Sequence, residues 1–441
     1  MTRSASRIRS PRINSLALLM AGLLCASQAQ AEDPFILGVH THLANYGRPM
    51  EKSFELMKAA GITAVRDDAF WSTTERQPGV LVISPDYWTW LREASGSGMK
   101  SLMMLGYGNQ FYSSDSKPIS LTVRAGFTRF IDFTAKKLRG KVDFYEIYNE
   151  WDLEDPESEG LTDAYIDLVR DTTRQLRAID PKPKILAGAV TSFGLVTGVP
   201  DRLIKGGVLD MVDGLSMHPY VSCEKTGGHN TPESWVQVMR KRSSHYDQLA
   251  GRPVPLYLTE MAWHSTGDLH PCGISETTQA AFVARAFLLA RTVPAIKGMW
   301  WFDLTNDGPD RSNQEHNFGL LNEDLTPKPS YHALQSVAPV VSRFQYQPAT
   351  GEQVAYDQAN GIYRLDFTED NAHVLAAWVT GLPRQVTIQA SGPMTGAVKM
   401  VDSAEPGTPR MDIEPQWECA AGRCWTRVTL NEFPLLIDTG R

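Results

Sequence analysis

The feature that most limits what this chain can become is a repeated alternation of short apolar runs with longer amphipathic ones. The apolar runs cover residues 35–40, 64–68, 101–105, 142–148, 185–188, 214–218, 256–259 and 298–302. Their brevity and aromatic or β-branched content suit buried strands. Helical patterns lie between them at 50–60, 85–97, 121–138, 162–179, 200–205, 234–249, 276–292 and 330–342. Gly61, Gly98, Gly140 and Pro181 mark helix ends. Strand–helix alternation repeated eight times predicts an α/β chain, a (β/α)8 TIM barrel. A doubly wound sheet would place a Gly-rich phosphate turn after an early strand. The first turn here reads His40-Thr41-His42-Leu43-Ala44-Asn45.

Beyond Val341 the pattern changes to short alternating runs at 361–367, 373–379, 385–390, 425–430 and 434–437. Gly, Pro and Asp separate them, which predicts a small C-terminal β-sandwich domain. Residues 343–348 read as a linker. The N-terminus reads as a targeting segment. Arg3, Arg7, Arg9 and Arg12 precede a short apolar stretch at 16–24, and Ala29-Gln30-Ala31 offers a small-x-small cleavage site. The expected division is a signal peptide at 1–31, a barrel at 32–342 and a β-sandwich at 343–441. Export to the periplasm or the medium follows from that reading, with no transmembrane span in the mature chain.

Export makes disulfides available. Once Cys25 leaves with the signal, Cys223, Cys272, Cys419 and Cys424 remain, and four cysteines allow three pairings. A local Cys419–Cys424 clip and a Cys223–Cys272 link between loops are favoured, against free thiols. Neither pair has Cys-x-x-Cys spacing, which argues against zinc.

In an eight-stranded barrel chemistry gathers at the C-terminal strand ends. Here those ends carry His40, Arg66 with Asp68, Asn149 with Glu150, His218 with Tyr220, Glu260, and Trp300 with Trp301. Turn formers would serve stability there; carboxylates, imidazoles and indoles serve a site. The two strands ending in Glu150 and Glu260 place these residues face to face as the catalytic candidates. Paired carboxylates suit glycoside hydrolysis, in which one acid protonates the leaving oxygen and the other attacks or activates water. Glu has an unperturbed pKa of about 4.3, so the acid must be raised by burial or a neighbouring charge. Arg66 is expected to keep the other carboxylate ionised. Strict alternation cannot turn both Asn149 and Glu150 inward, so a bulge or sharp turn is expected there.

Several segments together resemble clan A glycoside hydrolases, closest to family 39 and its relatives encoded with exopolysaccharide biosynthesis. They are Gly61-Ile62-Thr63-Ala64-Val65-Arg66-Asp67-Asp68 with Trp71, Tyr148-Asn149-Glu150, His218-Pro219-Tyr220, Thr259-Glu260-Met261-Ala262-Trp263, and Asn317-Phe318-Gly319-Leu320-Leu321 before Pro327-Lys328-Pro329. The resemblance spans the whole barrel. It implies Glu150 as acid/base, Glu260 as nucleophile, and retention of configuration. His218 and Tyr220 would orient the nucleophile or bind sugar, Trp301 would floor the subsite of bond breaking, and Asn149, Arg66, Trp263 and His40 would complete the substrate-binding set. The substrate implied is a polysaccharide or oligosaccharide, specifically a bacterial exopolysaccharide cut internally, with export machinery as a partner. The family usually follows its Asn-Glu with Pro, and this chain has Trp151. The loose alignment of Trp301-Phe302-Asp303-Leu304 leaves Trp300 and Trp301 as alternatives.

A formal net charge of −7 without a basic stripe argues against nucleic acid. No His-Glu-x-x-His spacing occurs, and neither a metal nor an organic cofactor is implied. Glu146 reads as a buried group behind the site, and Glu75 and Glu154 as solvated loop carboxylates. A transglycosylase on the same residues and an inactive polysaccharide-binding barrel remain as alternatives.

Overall fold

A computed structural model describes residues 1–2, 33–112, 117–221, 230–348, 355–357, 361–391, 398–400, 412–413, 416–421 and 423–439. The signal-peptide reading and Cys223 fall outside these residues. The chain divides into two compact units, Met1–Asp33 and Pro34–Arg441, and the second carries everything below.

Eight parallel strands close into a barrel in sequence order: β1 (Ile36–His40), β2 (Ala64–Phe70), β3 (Lys100–Gly106), β4 (Phe144–Ile147), β5 (Lys184–Thr191), β6 (Gly214–His218), β7 (Leu256–Met261) and β8 (Ile296–Trp301). Helices at Met50–Ala59, Pro85–Gly96, Leu121–Lys137, Glu159–Ile179, Val199–Lys205, Pro232–Ala250, Glu276–Ala290 and Pro329–Arg343 match the eight amphipathic patterns. Their starts follow local chemistry. The side chains of Ser84, Ser120, Ser158 and Ser275 each accept a backbone N–H of the first turn, a cap typically contributing about 1 kcal/mol. Thr231 and Ser234 form a capping box around Pro232.

Alternation along the strands sorts side chains between the barrel interior and the helix layer. Ile36, Ala64, Leu102, Phe144, Leu186, Tyr257 and Trp300 form a closed apolar plug inside. Gly38 makes room for Trp300, because a Cβ there would stand 2.3 Å from the indole. Above the plug the interior turns polar, with Arg66, Glu146, Ser216 and Thr259 all buried. The site rests on this layer.

The C-terminal region forms two antiparallel sheets. At the centre of the larger lie Ile362–Glu369, Ala372–Val379 and Leu435–Asp438; the smaller joins Arg384–Ser391, Arg423–Leu430 and Glu418–Ala420. Period-two alternation gives the larger sheet two apolar faces. Tyr363, Leu365, Phe367, Ala376, Trp378 and Leu436 join the core shared with the barrel helices. Ile362, Leu375, Ala377, Val379, Leu435 and Ile437 pack on Val386, Ile388, Val428 and Leu430 of the smaller sheet. Trp378 Nε1 donates to Glu233 Oε1 (2.9 Å), tying sheet to helix. Cys419 and Cys424 are disulfide-bonded across the smaller sheet.

Two expectations change. The 343–348 linker is structured: Arg343 closes a helix, and Gln345–Gln347 is a strand paired with residues 366–368. Three short helices, Leu43–Tyr46, Trp71–Thr74 and Ser192–Thr197, follow β1, β2 and β5. Pieces of four to six residues are too short to show an amphipathic period.

Candidate active site

Arg66 organises the centre of the site. It is fully buried on β2, pointing inward with Asp68 two residues further along. Its Nε donates to Glu146 Oε2, its Nη1 to Glu260 Oε1 and its Nη2 to Asn149 Oδ1, each at 2.8 Å. One planar fork thereby fixes β4, the turn after β4, and β7 relative to β2.

β4 ends at Ile147, one residue earlier than its apolar run, and the chain turns sharply. Tyr148 and Glu150 both have left-handed φ values, 63° and 45°. This is the turn that allows Asn149 and Glu150 to reach the cleft together. A matching irregularity lies in β7, whose register with β8 shifts between Leu258 and Met261. Thr259 and Glu260 both face the interior as a result. Thr259 Oγ1 donates to Glu146 Oε1 (2.7 Å), leaving its lone pairs for His218 Nε2 (3.1 Å).

His218 sits between the two carboxylates. Its Nδ1 is 2.9 Å from Glu150 Oε1 and 3.5 Å from Glu260 Oε2. One oxygen of Glu150 and one of Glu260 lie within 4.8 Å of each other. Tyr220 donates its hydroxyl to Glu260 Oε2 (2.9 Å), so each Glu260 oxygen has one donor. Burial raises the Glu260 carboxyl from its ordinary value, against the positive pull of His218 and Arg66. Burial works the same way on Glu150, but the hydrogen bond and charge of His218 outweigh it and hold that carboxyl low. His218 itself is raised despite burial, by Glu260 and Glu150. The expectation of a raised acid therefore changes: Glu150 is the carboxyl held low, while Glu260 and His218 are the groups raised. Burial of Tyr220 beside Glu260 and Glu150 raises its hydroxyl far above its ordinary value, so it stays a donor.

Above these groups opens a cavity of about 540 Å³. Glu150, Glu260, Asn149, Tyr220, Trp263 and His40 line it. Arg66 and His218 are brought to the same place but lie beneath the surface, holding the carboxylates rather than facing a ligand. Trp301 is not brought to the cleft. It is fully buried with its indole N–H on the Phe318 carbonyl (3.1 Å), and Trp300 belongs to the apolar plug. Phe302, the next residue, faces the cavity instead. Trp151, the departure after Asn-Glu, is also buried, with its indole on the Leu161 carbonyl and its ring against Tyr148 and Tyr165. Glu75 was read as solvated and is buried, accepting from Trp71 Nε1 and the Gly79 N–H.

Sequence reasoning left Tyr46, Tyr107, Phe302 and Glu315 out of the lining. Tyr46 and Glu315 belong to helical pieces of four residues, too short to show a period, while Tyr107 directly follows β3 and Phe302 directly follows β8. Asp68 was legible at a strand end through its Arg-x-Asp spacing but was not carried into the set. His42 also lines the cavity. Its Nδ1 lies 3.1 Å from Asp307 and 3.5 Å from the buried Asp303. Among the described residues, three groups have ligand atoms spaced as a metal would need: His40/His42/Asp68, His42/Asp303/Asp307 and Glu150/His218/Glu260. Guanidinium nitrogens oppose a cation in all three, Arg66 beside Asp68 and Glu260, Arg48 beside Asp307.

No protein-family model matches the chain. A β-xylosidase from Caldicellulosiruptor saccharolyticus is 25% identical over 199 residues, 44% of this chain; the match spans only 40% of that enzyme's length. Among solved structures, a family 39 glycoside hydrolase from Bacteroides cellulosilyticus superposes with a TM-score of 0.73 at 24% identity, over 92% of this chain and 81% of that one. A family 39 β-xylosidase from Caulobacter crescentus gives 0.62 at 18% identity, over 94% and 98%. The fold of this chain is that of the family 39 glycoside hydrolases, as its motifs resemble.

Proposed function

We propose that the chain is a retaining glycoside hydrolase working by double displacement, with Glu260 as nucleophile and Glu150 as acid/base. The observation that carries this reading is the close approach of the two carboxylates, one oxygen of each lying within 4.8 Å of the other, with His218 in contact with both. Carboxyl groups about 5–5.5 Å apart leave no room for the water an inverting enzyme needs. In the first step a Glu260 oxygen bonds to the anomeric carbon as the glycosidic bond breaks. The departing oxygen takes the one proton that Glu150 and His218 share across their 2.9 Å contact. In the second step Glu150, now unprotonated, takes a proton from water, whose oxygen displaces Glu260. The pair is then recharged. Arg66 and Tyr220 hold the nucleophile in line and favour its ionised form.

The names of similar proteins make aryl β-xylosides the first substrates to try. The finer reading, internal cleavage of a bacterial exopolysaccharide beside its export machinery, rests on the motif resemblance alone. Proton NMR during hydrolysis should show the starting anomer in the first-formed product. Glu150→Gln should lower kcat by about 10²–10⁴-fold. Product of the opposite anomer at first appearance would replace this mechanism with inversion.

Export is part of the same proposal. The Arg-rich start, its apolar stretch and the Cys419–Cys424 bond all suit an oxidising compartment. Intact-mass analysis of the exported protein should give an N-terminus at Glu32. Recovery with Met1 still present would overturn the export reading.

A further inference from the structure

Asp68 is a carboxylate that the mechanism above does not use. It lies on β2 one pleat beyond Arg66, lines the cavity and is only 6% exposed. Its Oδ1 has no hydrogen-bond partner among the described residues. The nearest donors, His40 Nε2 at 3.7 Å and Arg66 Nη1 at 3.9 Å, stand too far away to make one. Arg66 spends its hydrogen bonds on Glu146, Glu260 and Asn149, with its Nη1 also 3.2 Å from His40 Nδ1. His42 and Arg48, the other cationic groups nearby, face Asp303 and Asp307. Burial would raise Asp68, yet contact with His40 and the Arg66 charge hold it at about 2. His40, pushed down to about 3 mainly by burial, is neutral and does not neutralise it. Neither side-chain oxygen of this ionised carboxylate has a donor among the described residues, Oδ1 is sealed from solvent, and the side chain lines a cleft where a ligand can supply one.

Its position says which part of a ligand. His40 bridges Asp68 to the nucleophile, with Nδ1 3.8 Å from Glu260 Oε1. Glu150, which meets the leaving group, is held from the other side by His218. We propose that Asp68 accepts hydroxyl hydrogens from the sugar that bonds to Glu260, and that this site selects an uncharged, hydroxyl-rich glycone over a uronic acid. This rests on the glycosidase reading and adds the substrate class to it.

The test uses the full-length protein and 4-nitrophenyl β-xyloside, β-glucoside, β-glucuronide and the singly deoxygenated xylosides. In the wild type, removing a contacted hydroxyl should lower kcat/KM about tenfold to a hundredfold. Asp68→Asn should lose a similar factor on the parent xyloside, and the two losses should not multiply when combined. The glucuronide should be the poorest wild-type substrate, and Asp68→Asn should narrow its gap to the glucoside. The deoxygenated series on wild-type enzyme guards against a variant that misfolds. Losses that multiply at every position, or a glucuronide cleaved as fast as the glucoside, overturn the Asp68 assignment while the glycosidase reading stands. A wild type that cleaves no member of the panel overturns both.

Discussion

At the scale of single residues, the cleft wall beside His42 makes the protein's stability depend on pH. Burial pushes Asp303 from 3.8 up to about 8, with Asp307 adding repulsion. His42 rises from 6.5 to about 9, burial being overcome by its hydrogen bond to Asp307 and by the charges of Asp303 and Asp307. Both groups bind protons more tightly in the folded chain than in the unfolded one. Stability therefore falls as pH rises, between 3.8 and about 8 for Asp303 and between 6.5 and about 9 for His42. Urea unfolding should show the wild type losing stability from pH 6.5 to 9, and Asp303→Asn losing clearly less over the same window. Equal slopes in the two proteins would show that Asp303 is already ionised at neutral pH. Asp68 follows the opposite sign: held at about 2, its contribution is present above 3.8 and disappears as pH falls through 2.

At the scale of elements, the same alternation rule explains both what was readable and what was not. A run such as 214–218 announces a strand, and β6 spans those residues. Alternation then sends Arg66 and Asp68, or Ser216 and His218, inward together. The rule fails where the backbone departs from it, and those departures make the site. Left-handed Tyr148 and Glu150 and the register shift in β7 each bring two consecutive residues to the interior. The first was expected from the need to seat Asn149 beside Glu150; the second had no such cue. Alternation also accounts for the strand at Ala372–Val379, whose Trp378 is fully buried against the barrel helices and bonded to Glu233. Trp378→Ala should cost about 3–5 kcal/mol in urea unfolding. A loss below 1 kcal/mol would mean that the sheet contributes little to the barrel's stability.

At the scale of the whole molecule, residues from Pro34 onward form one compact unit in which the barrel helices and the larger C-terminal sheet share a core. The sequence by itself determined the class of fold, because periods of two and 3.6 are local properties that a linear pattern carries. It also placed Glu150 and Glu260 near the C-terminal ends of β4 and β7, and barrel topology puts those ends on one face. What only the tertiary structure decided is which neighbours those residues meet. The sequence left Trp300 and Trp301 as alternatives for the cleft aromatic, and the structure puts Phe302 there, because a shift of one residue reverses the face and the Phe318 carbonyl claims the Trp301 indole. The raised His218 and the unpartnered Asp68 depend on charges from β2, β6, β7 and the turn after β4 meeting within a few ångströms. Electrostatic energies follow distance in space, and the order of residues along a chain does not contain those distances.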